Sequence, residues 1–306
     1  MQRIKEIFQY IFSKYPSKID RSILGVNSFF NLKLFRSDNI RNQALDIKNN
    51  LNIKKIRILV SWDDKIQKSQ DSLIFYGFID DILKNLPENM SAIMVICNCP
   101  SWVSNDKHIA RNQFVNFCKS VLSRYGKSTK VYGFQIGNEP NTTMFKDNIK
   151  FGFSEDPYYY SLVLRRIYEY KKSIYCDKNI ISAATTGILQ NYPETLKYFK
   201  KMLILNLEDK CDLVGVHFYG NNLFTFFRKN GALDVLKTIK KPIVITEIGT
   251  TNSKKQIKYL LKNTNFLEKN LDIDGVFYYH YDGDDEYGMR KTDNSKSKLY
   301  DFLSKN

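Results

Sequence analysis

At 306 residues, 43% hydrophobic and 26% charged, the chain can bury one sizeable core without disulfides or metals, and its length suits one β/α barrel with modest insertions. No apolar run approaches the roughly eighteen residues of a membrane-spanning helix. The five Cys are odd in number, at spacings that suit neither a disulfide framework nor a zinc site, and read as free thiols of a reducing compartment. The formal charge is +15, but its Lys residues are strewn along the chain rather than gathered into a patch, so no nucleic-acid partner is expected.

Residues 1–22 read as an amphipathic helix and lead-in. Met1 to Asp20 lacks the apolar core and cleavage site of a signal peptide. Ile4, Ile7, Phe8, Ile11 and Phe12 fall on one helical face, with Arg3, Lys5 and Lys14 nearby. That face is expected to pack on the barrel; the alternative is a peripheral membrane contact through residues 1–15.

From residue 23 onward, eight short runs rich in β-branched and aromatic residues read as strands. They begin near Ile23, Ile56, Ala92, Val131, Ile180, Asp212, Pro242 and Asp274. The spacing averages about 36 residues, one β/α unit each. Helical patterns lie between them, most clearly over Leu73–Leu86, Ala110–Tyr125, Pro157–Tyr175, Pro193–Leu207 and Lys254–Leu267. Continuous apolar runs alternating with helices imply a parallel sheet covered on its outer side. No Gly-rich loop follows the first strand, which argues against a dinucleotide fold. The expected fold class is α/β, a single-domain (β/α)8 barrel over residues 23–306.

Active sites of this fold lie at the carboxyl ends of the strands. Unusual polar residues gather there: Trp62 and Asp63; Asn98 and Trp102; Asn138 and Glu139; His217 and Tyr219; Glu247; Tyr279, His280 and Tyr281. Both Trp and two of the three His lie at these ends. Glu139 closes the fourth strand and Glu247 the seventh. Eight strands close at a radius of roughly 8 Å, which leaves about 5–6 Å between the two carboxyl groups. Retaining glycoside cleavage needs about 5–5.5 Å, and inversion about 6.5–9.5 Å.

The Gly137-Asn138-Glu139-Pro140 and Thr246-Glu247-Ile248-Gly249 stretches resemble the strand-4 and strand-7 motifs of glycoside hydrolase clan A, with similarity to families 39 and 5. The resemblance runs from about Ile23 to Tyr281. It implies a retaining glycosidase with Glu139 as acid/base, Glu247 as nucleophile and Asn138 on the sugar 2-hydroxyl. It also implies Arg57 beside the nucleophile, Tyr219 hydrogen-bonded to it, and His217 lining the sugar site. Many clan members end strand 8 with a Trp under the reacting sugar; here the run is Phe277-Tyr278-Tyr279-His280-Tyr281. Tyr279 or Tyr281 is expected to take that place, with Trp102 and Asn98 as further sugar contacts. Trp62 reads as core, and the acidic run Asp282, Asp284, Asp285, Glu286 as a solvated loop.

The expected reaction is therefore hydrolysis of β-glycosidic bonds in an oligo- or polysaccharide, with no cofactor and no metal, in a monomer. Transfer to a second sugar and non-catalytic polysaccharide binding are the alternatives. The expected location is cytoplasmic, or peripheral at the inner membrane.

Overall fold

All eight apolar runs are strands in the computed structural model, which describes residues 2–12, 14–30, 37–188 and 193–305. They are β1 (Leu24–Asn27), β2 (Lys55–Ser61), β3 (Ser91–Cys97), β4 (Val131–Ile136), β5 (Asn179–Ser182), β6 (Val214–Phe218), β7 (Ile243–Ile248) and β8 (Ile273–Tyr278). Every pairing is parallel, and β1 pairs with β8. The remaining seam, β5 to β6, is held by a parallel bridge between Ile181 and Leu213 and by the Ser182 N–H on the Leu213 carbonyl at 3.1 Å. The chain is thus a (β/α)8 barrel, as its alternating pattern requires.

The barrel is filled, not hollow. Ile93, Ile181, Val244 and Phe277, drawn from four strands, and Leu213, just before β6, form an apolar cluster inside it. Phe277 reaches across to β1, where a Cβ on Gly25 would stand 2.4 Å from its ring. Towards the amino ends of the strands, the Tyr132 hydroxyl on β4 donates to Asp274 on β8 at 2.5 Å. The larger core lies between the barrel and its helices.

The outer helices follow local signals. Lys107–Tyr125 is capped by Asp106, whose carboxylate accepts from the His108 and Ile109 N–H groups. Pro157–Ser173 has Asp156 as its cap and a proline in its first turn. Pro193–Ile204 and Gln256–Asn270 complete the clearest set. The helix expected to begin at Leu73 begins at Gly77 instead. The chain before it is tied back by the Phe75 N–H on the Ile66 carbonyl, which leaves Leu73 in solvent. Ser37–Leu45, with its π-helical continuation Asp46–Asn50, was not expected; nor were the five-residue helices Leu223–Phe227 and Ala232–Leu236. A five-residue helix is too short for a 3.6-residue period to declare itself.

The N-terminal helix, Gln2–Phe12, corrects an expectation. It does pack on the barrel's flank, but through the other face. Glu6 pairs with Lys237 at 2.6 Å and Arg3 with Asp234 at 2.6 Å. The Tyr10 hydroxyl donates to Asn263 at 2.8 Å, and its ring meets Phe227 and Phe266 edge-on. Ile7 lies against the core, while Ile4, Phe8, Ile11 and Phe12 face solvent. Two ion pairs and an aromatic anchor outweigh the packing of the apolar stripe. All five cysteines are free. Among the described residues no helix is long and apolar enough to cross a membrane.

Candidate active site

The polar strand ends meet around one guanidinium. Arg57, on β2, is buried and reaches across the barrel mouth to four acceptors. Its Nη1 donates to Glu247 Oε1 on β7 at 2.6 Å and to Asn27 Oδ1 on β1 at 2.6 Å. Its Nε donates to Gln135 Oε1 on β4 at 2.8 Å, and its Nη2 to Asn138 Oδ1 at 2.8 Å. A buried cation needs such a shell, because an unsatisfied one is too costly to bury. Asn27 is itself fixed by donating to the Thr246 and Tyr278 carbonyls.

Glu247 reaches the mouth by an irregularity. Strict alternation from Val244, which points into the barrel, would present Thr246 at the mouth and send Glu247 outward. The β7–β8 register shifts between Ile245 and Ile248, and β6 shifts beside it between Val216 and His217. His217 then stands opposite Glu247. The remaining oxygen of Glu247 accepts the Tyr219 hydroxyl at 2.8 Å. Burial raises the pKa of Glu247, but the charges of His217 and Arg57 and the Tyr219 and Arg57 hydrogen bonds together bring it below the usual carboxylate value. Burial, with the Glu247 charge beside it, pushes the Tyr219 hydroxyl well up, so it remains a donor.

Glu139 sits just past β4 with φ at +44°, in the left-handed region that disfavours side chains. Neighbours fix that turn from both sides. Its N–H donates to the Ala184 carbonyl at 2.9 Å, and its own carbonyl accepts from Asn148 Nδ2 at 2.8 Å. The side chain is half-buried, and its Oε1 lies 2.9 Å from His217 Nδ1. His217 Nε2 lies 3.4 Å from Glu247 but in no hydrogen-bonding geometry, so it is a buried polar atom without a partner. One oxygen of each glutamate and a His217 nitrogen all fall within 4.8 Å of one another. With Arg57 and Tyr219 already holding the two oxygens of Glu247, the trio forms a carboxyl pair bridged by a histidine rather than a ligand set.

A cleft of about 230 Å³ opens on the Glu247 side, lined by Asn27, Arg57, Asn98, Asn138, Asp147 and Tyr279 among others. Asn98, at φ +69°, donates from its side chain to Ser61 and from its backbone to Asp147 Oδ2 at 2.9 Å. Tyr279 closes one wall, edge-on to Phe29, Tyr219 and Tyr287. A wider groove of about 750 Å³ runs from Glu139 past Asn141, Thr142, Glu155 and Lys201.

Eight of the ten sequence-predicted site residues converge here: Glu139, Glu247, Asn138, Arg57, His217, Tyr219, Asn98 and Tyr279. Two do not. Tyr281 is fully buried, and its hydroxyl donates to Asp46 at 2.5 Å, where Arg290 joins it. Trp102 lies edge-on to Trp62, and its indole N–H donates to the Gln67 carbonyl at 2.7 Å. Both are held in packing by partners outside the cleft. The acidic loop is likewise structural: Asp282 accepts from Ser28 and Phe29, Asp284 from Thr292, and Asp285 lies at 3.0 Å from His280 Nε2. Sequence reasoning missed Asn27, Gln135 and Asp147. Asn27 and Gln135 carried a signal, as polar residues inside apolar strands; Asp147 lies in a loop and carried none.

The solved structures to which this chain is similar share this fold at low identity. A family 39 glycoside hydrolase from the gut symbiont Bacteroides cellulosilyticus WH2 aligns at 15% identity and TM-score 0.68, covering 96% of this chain and 65% of that one. A family 5 subfamily 18 protein from Bifidobacterium longum subsp. infantis aligns at 12% and 0.69, covering 94% and 78%. An endo-1,4-beta-mannanase from Rhizomucor miehei aligns at 15% and 0.64, covering 96% and 99%. This chain therefore spans about two thirds of the length of the family 39 structure. No curated protein matches by sequence. The model for cellulase, glycosyl hydrolase family 5, matches residues 22–283, and the chain belongs to the glycoside hydrolases of that family.

Proposed function

We propose that the chain cleaves β-glycosidic bonds by double displacement with retention. The observation that carries this reading is the pair of glutamates from β4 and β7, with oxygens within 4.8 Å of each other and one of them held ionised. So close an approach favours the short spacing of a retaining pair over the roughly 6.5–9.5 Å of an inverting one. Glu247, aimed by Arg57 and Tyr219, attacks the anomeric carbon while Glu139 gives its proton to the leaving oxygen. Glu139 then takes a proton from water, and the water oxygen displaces Glu247 from the sugar. Asn138, whose Oδ1 is held by Arg57, presents its amide to the 2-hydroxyl. His217, whose side chain is wholly buried between the two glutamates, acts through them rather than on the sugar. The same intermediate serves transfer to a second sugar.

The cleft beside Glu247 is smaller than the roughly 300–1,000 Å³ of ordinary small-molecule sites, and takes one sugar ring. The rest of the substrate follows the groove on the Glu139 side, where the proton is delivered. The described lining suits a neutral ring, because among the described residues its only cation, Arg57, is already paired with Glu247.

Aryl β-glycosides offered to wild type, Glu139→Ala and Glu247→Ala test the reading. Wild type releases nitrophenol. Glu139→Ala loses about 10²–10⁴-fold on poor leaving groups, and Glu247→Ala loses turnover almost entirely. Azide added to Glu247→Ala gives an α-glycosyl azide. Near-normal turnover in either variant would refute the assignment.

A further inference from the structure

The outward face of the N-terminal helix has no function in the barrel. Ile4, Phe8, Ile11 and Phe12 are 59%, 56%, 49% and 70% exposed, and the Phe8 and Phe12 rings stack on each other at 5.3 Å. Single exposed apolar residues are ordinary, but four on consecutive turns of one helix form a patch that needs an explanation. The face opposite is committed to the protein through Glu6, Tyr10 and Arg3, so the helix cannot roll over to hide it. The unpaired charges along residues 2 to 18 have one sign. Lys5, Lys14 and Lys18 are exposed, and the only acid between residues 2 and 18, Glu6, is buried against Lys237.

We propose that this helix docks the enzyme on an anionic lipid surface. An apolar stripe with Lys5 on its own helix and Lys14 and Lys18 following it in the chain is what lies in the plane of a membrane interface, with rings in the acyl boundary and ammonium groups among the phosphates. A second copy of the chain is a poorer occupant. Two such helices face to face would bring Lys5, Lys14 and Lys18 of each against the other's without a counter-charge. The formal charge of +15 adds to attraction towards phospholipid and none towards a like molecule. None of these residues lines the cleft or groove around the glutamates, so docking leaves the mouth open.

The test is co-sedimentation of the full chain with vesicles of phosphatidylcholine alone and with one third phosphatidylglycerol. Binding is expected to the anionic vesicles and to weaken as salt is raised. The double variant Phe8→Ser, Phe12→Ser should bind at least about 100-fold more weakly, as the loss of two inserted rings requires. Lys5→Glu with Lys14→Glu should weaken it separately. Both variants change exposed side chains, and an unchanged thermal midpoint verifies their fold. Failure of the wild type to bind anionic vesicles overturns the proposal, as does undiminished binding by the serine variant. A dimer in light scattering that the serine variant dissolves would assign the face to a second copy instead.

Discussion

Burial alone would favour the protonated form of Glu247, which could not serve as the nucleophile proposed above. What reverses that is a set of neighbours whose effects point the same way: the His217 and Arg57 charges, and the Tyr219 and Arg57 hydrogen bonds. The pKa falls below the ordinary one, so the carboxylate's contribution to stability is complete above the ordinary range of Glu, near 4.3, and is lost as pH falls through the lower folded value. The acid limb of kcat/KM should lie below that range for the same reason. Tyr219→Phe removes one hydrogen bond to a charged group, and should cost about 10–100-fold in kcat/KM. It should also move the acid limb upward, and Arg57→Met should move it further. A pH profile separates this from a general loss of fold, since a merely structural role would lower the plateau and leave the limb in place. Most of this site is legible in the sequence, because Asn138, Glu139, His217, Tyr219 and Glu247 stand at or near the carboxyl ends of strands in recognisable short motifs, and Arg57 is a charge inside the apolar run of β2. Tyr281 and Trp102 are not. What removes them from the mouth is a partner distant in sequence, Asp46 for one and Gln67 for the other.

At the scale of elements, the barrel depends on where strands stop alternating. Glu247 faces its partner only because β7 breaks register after Ile245. No residue pattern announces that break, since Ile243 to Ile248 reads as one apolar run with two polar members. A second such constraint is Gly25. Any side chain there meets the Phe277 ring, which fills the barrel against β1. Gly25→Ala should therefore destabilise the fold by about 1–3 kcal/mol through overpacking. Pairing it with Phe277→Leu should recover part of the loss. Equilibrium denaturation of the single and double variants measures both, and an unchanged midpoint in Gly25→Ala would show that Phe277 swings aside at no cost. Helices longer than three turns were legible from their period and caps. The N-terminal helix was legible as a helix but not in its orientation, because its apolar stripe outnumbers the residues that hold it. Ion pairs to Asp234 and Lys237, about 230 positions away, decide which face turns in.

Across the whole molecule, surface charge and site charge differ in sign of purpose. The chain carries a formal +15, enough to draw anions towards the molecule at low ionic strength. The described lining of the cleft offers them no free cation. Among the described residues its one cation, Arg57, is bound to Glu247, and its far wall carries Asp147, a buried carboxyl whose pKa burial raises and whose Oδ2 accepts the Asn98 N–H. In either protonation state Asp147 can bond a sugar hydroxyl, and when ionised it repels a carboxylate. Anionic polysaccharide and neutral sugar thus make opposite demands, and the cleft decides which bond is cut. Aryl glycosides of neutral hexoses and pentoses should be cleaved at least about 100-fold faster than the matching glucuronide, a ratio set by one unpaired buried charge of about 3 kcal/mol. Added salt should leave the neutral rates unchanged. Asp147→Asn keeps the hydrogen-bonding shape and removes the charge. It should narrow the ratio chiefly by raising the glucuronide rate if Asp147 is ionised at the assay pH, and chiefly by lowering the neutral rate if it is protonated. Cleavage of the glucuronide as fast as the neutral glycosides by wild type would mean that the lysines outside the cleft, rather than the carboxyls inside it, set the choice of sugar.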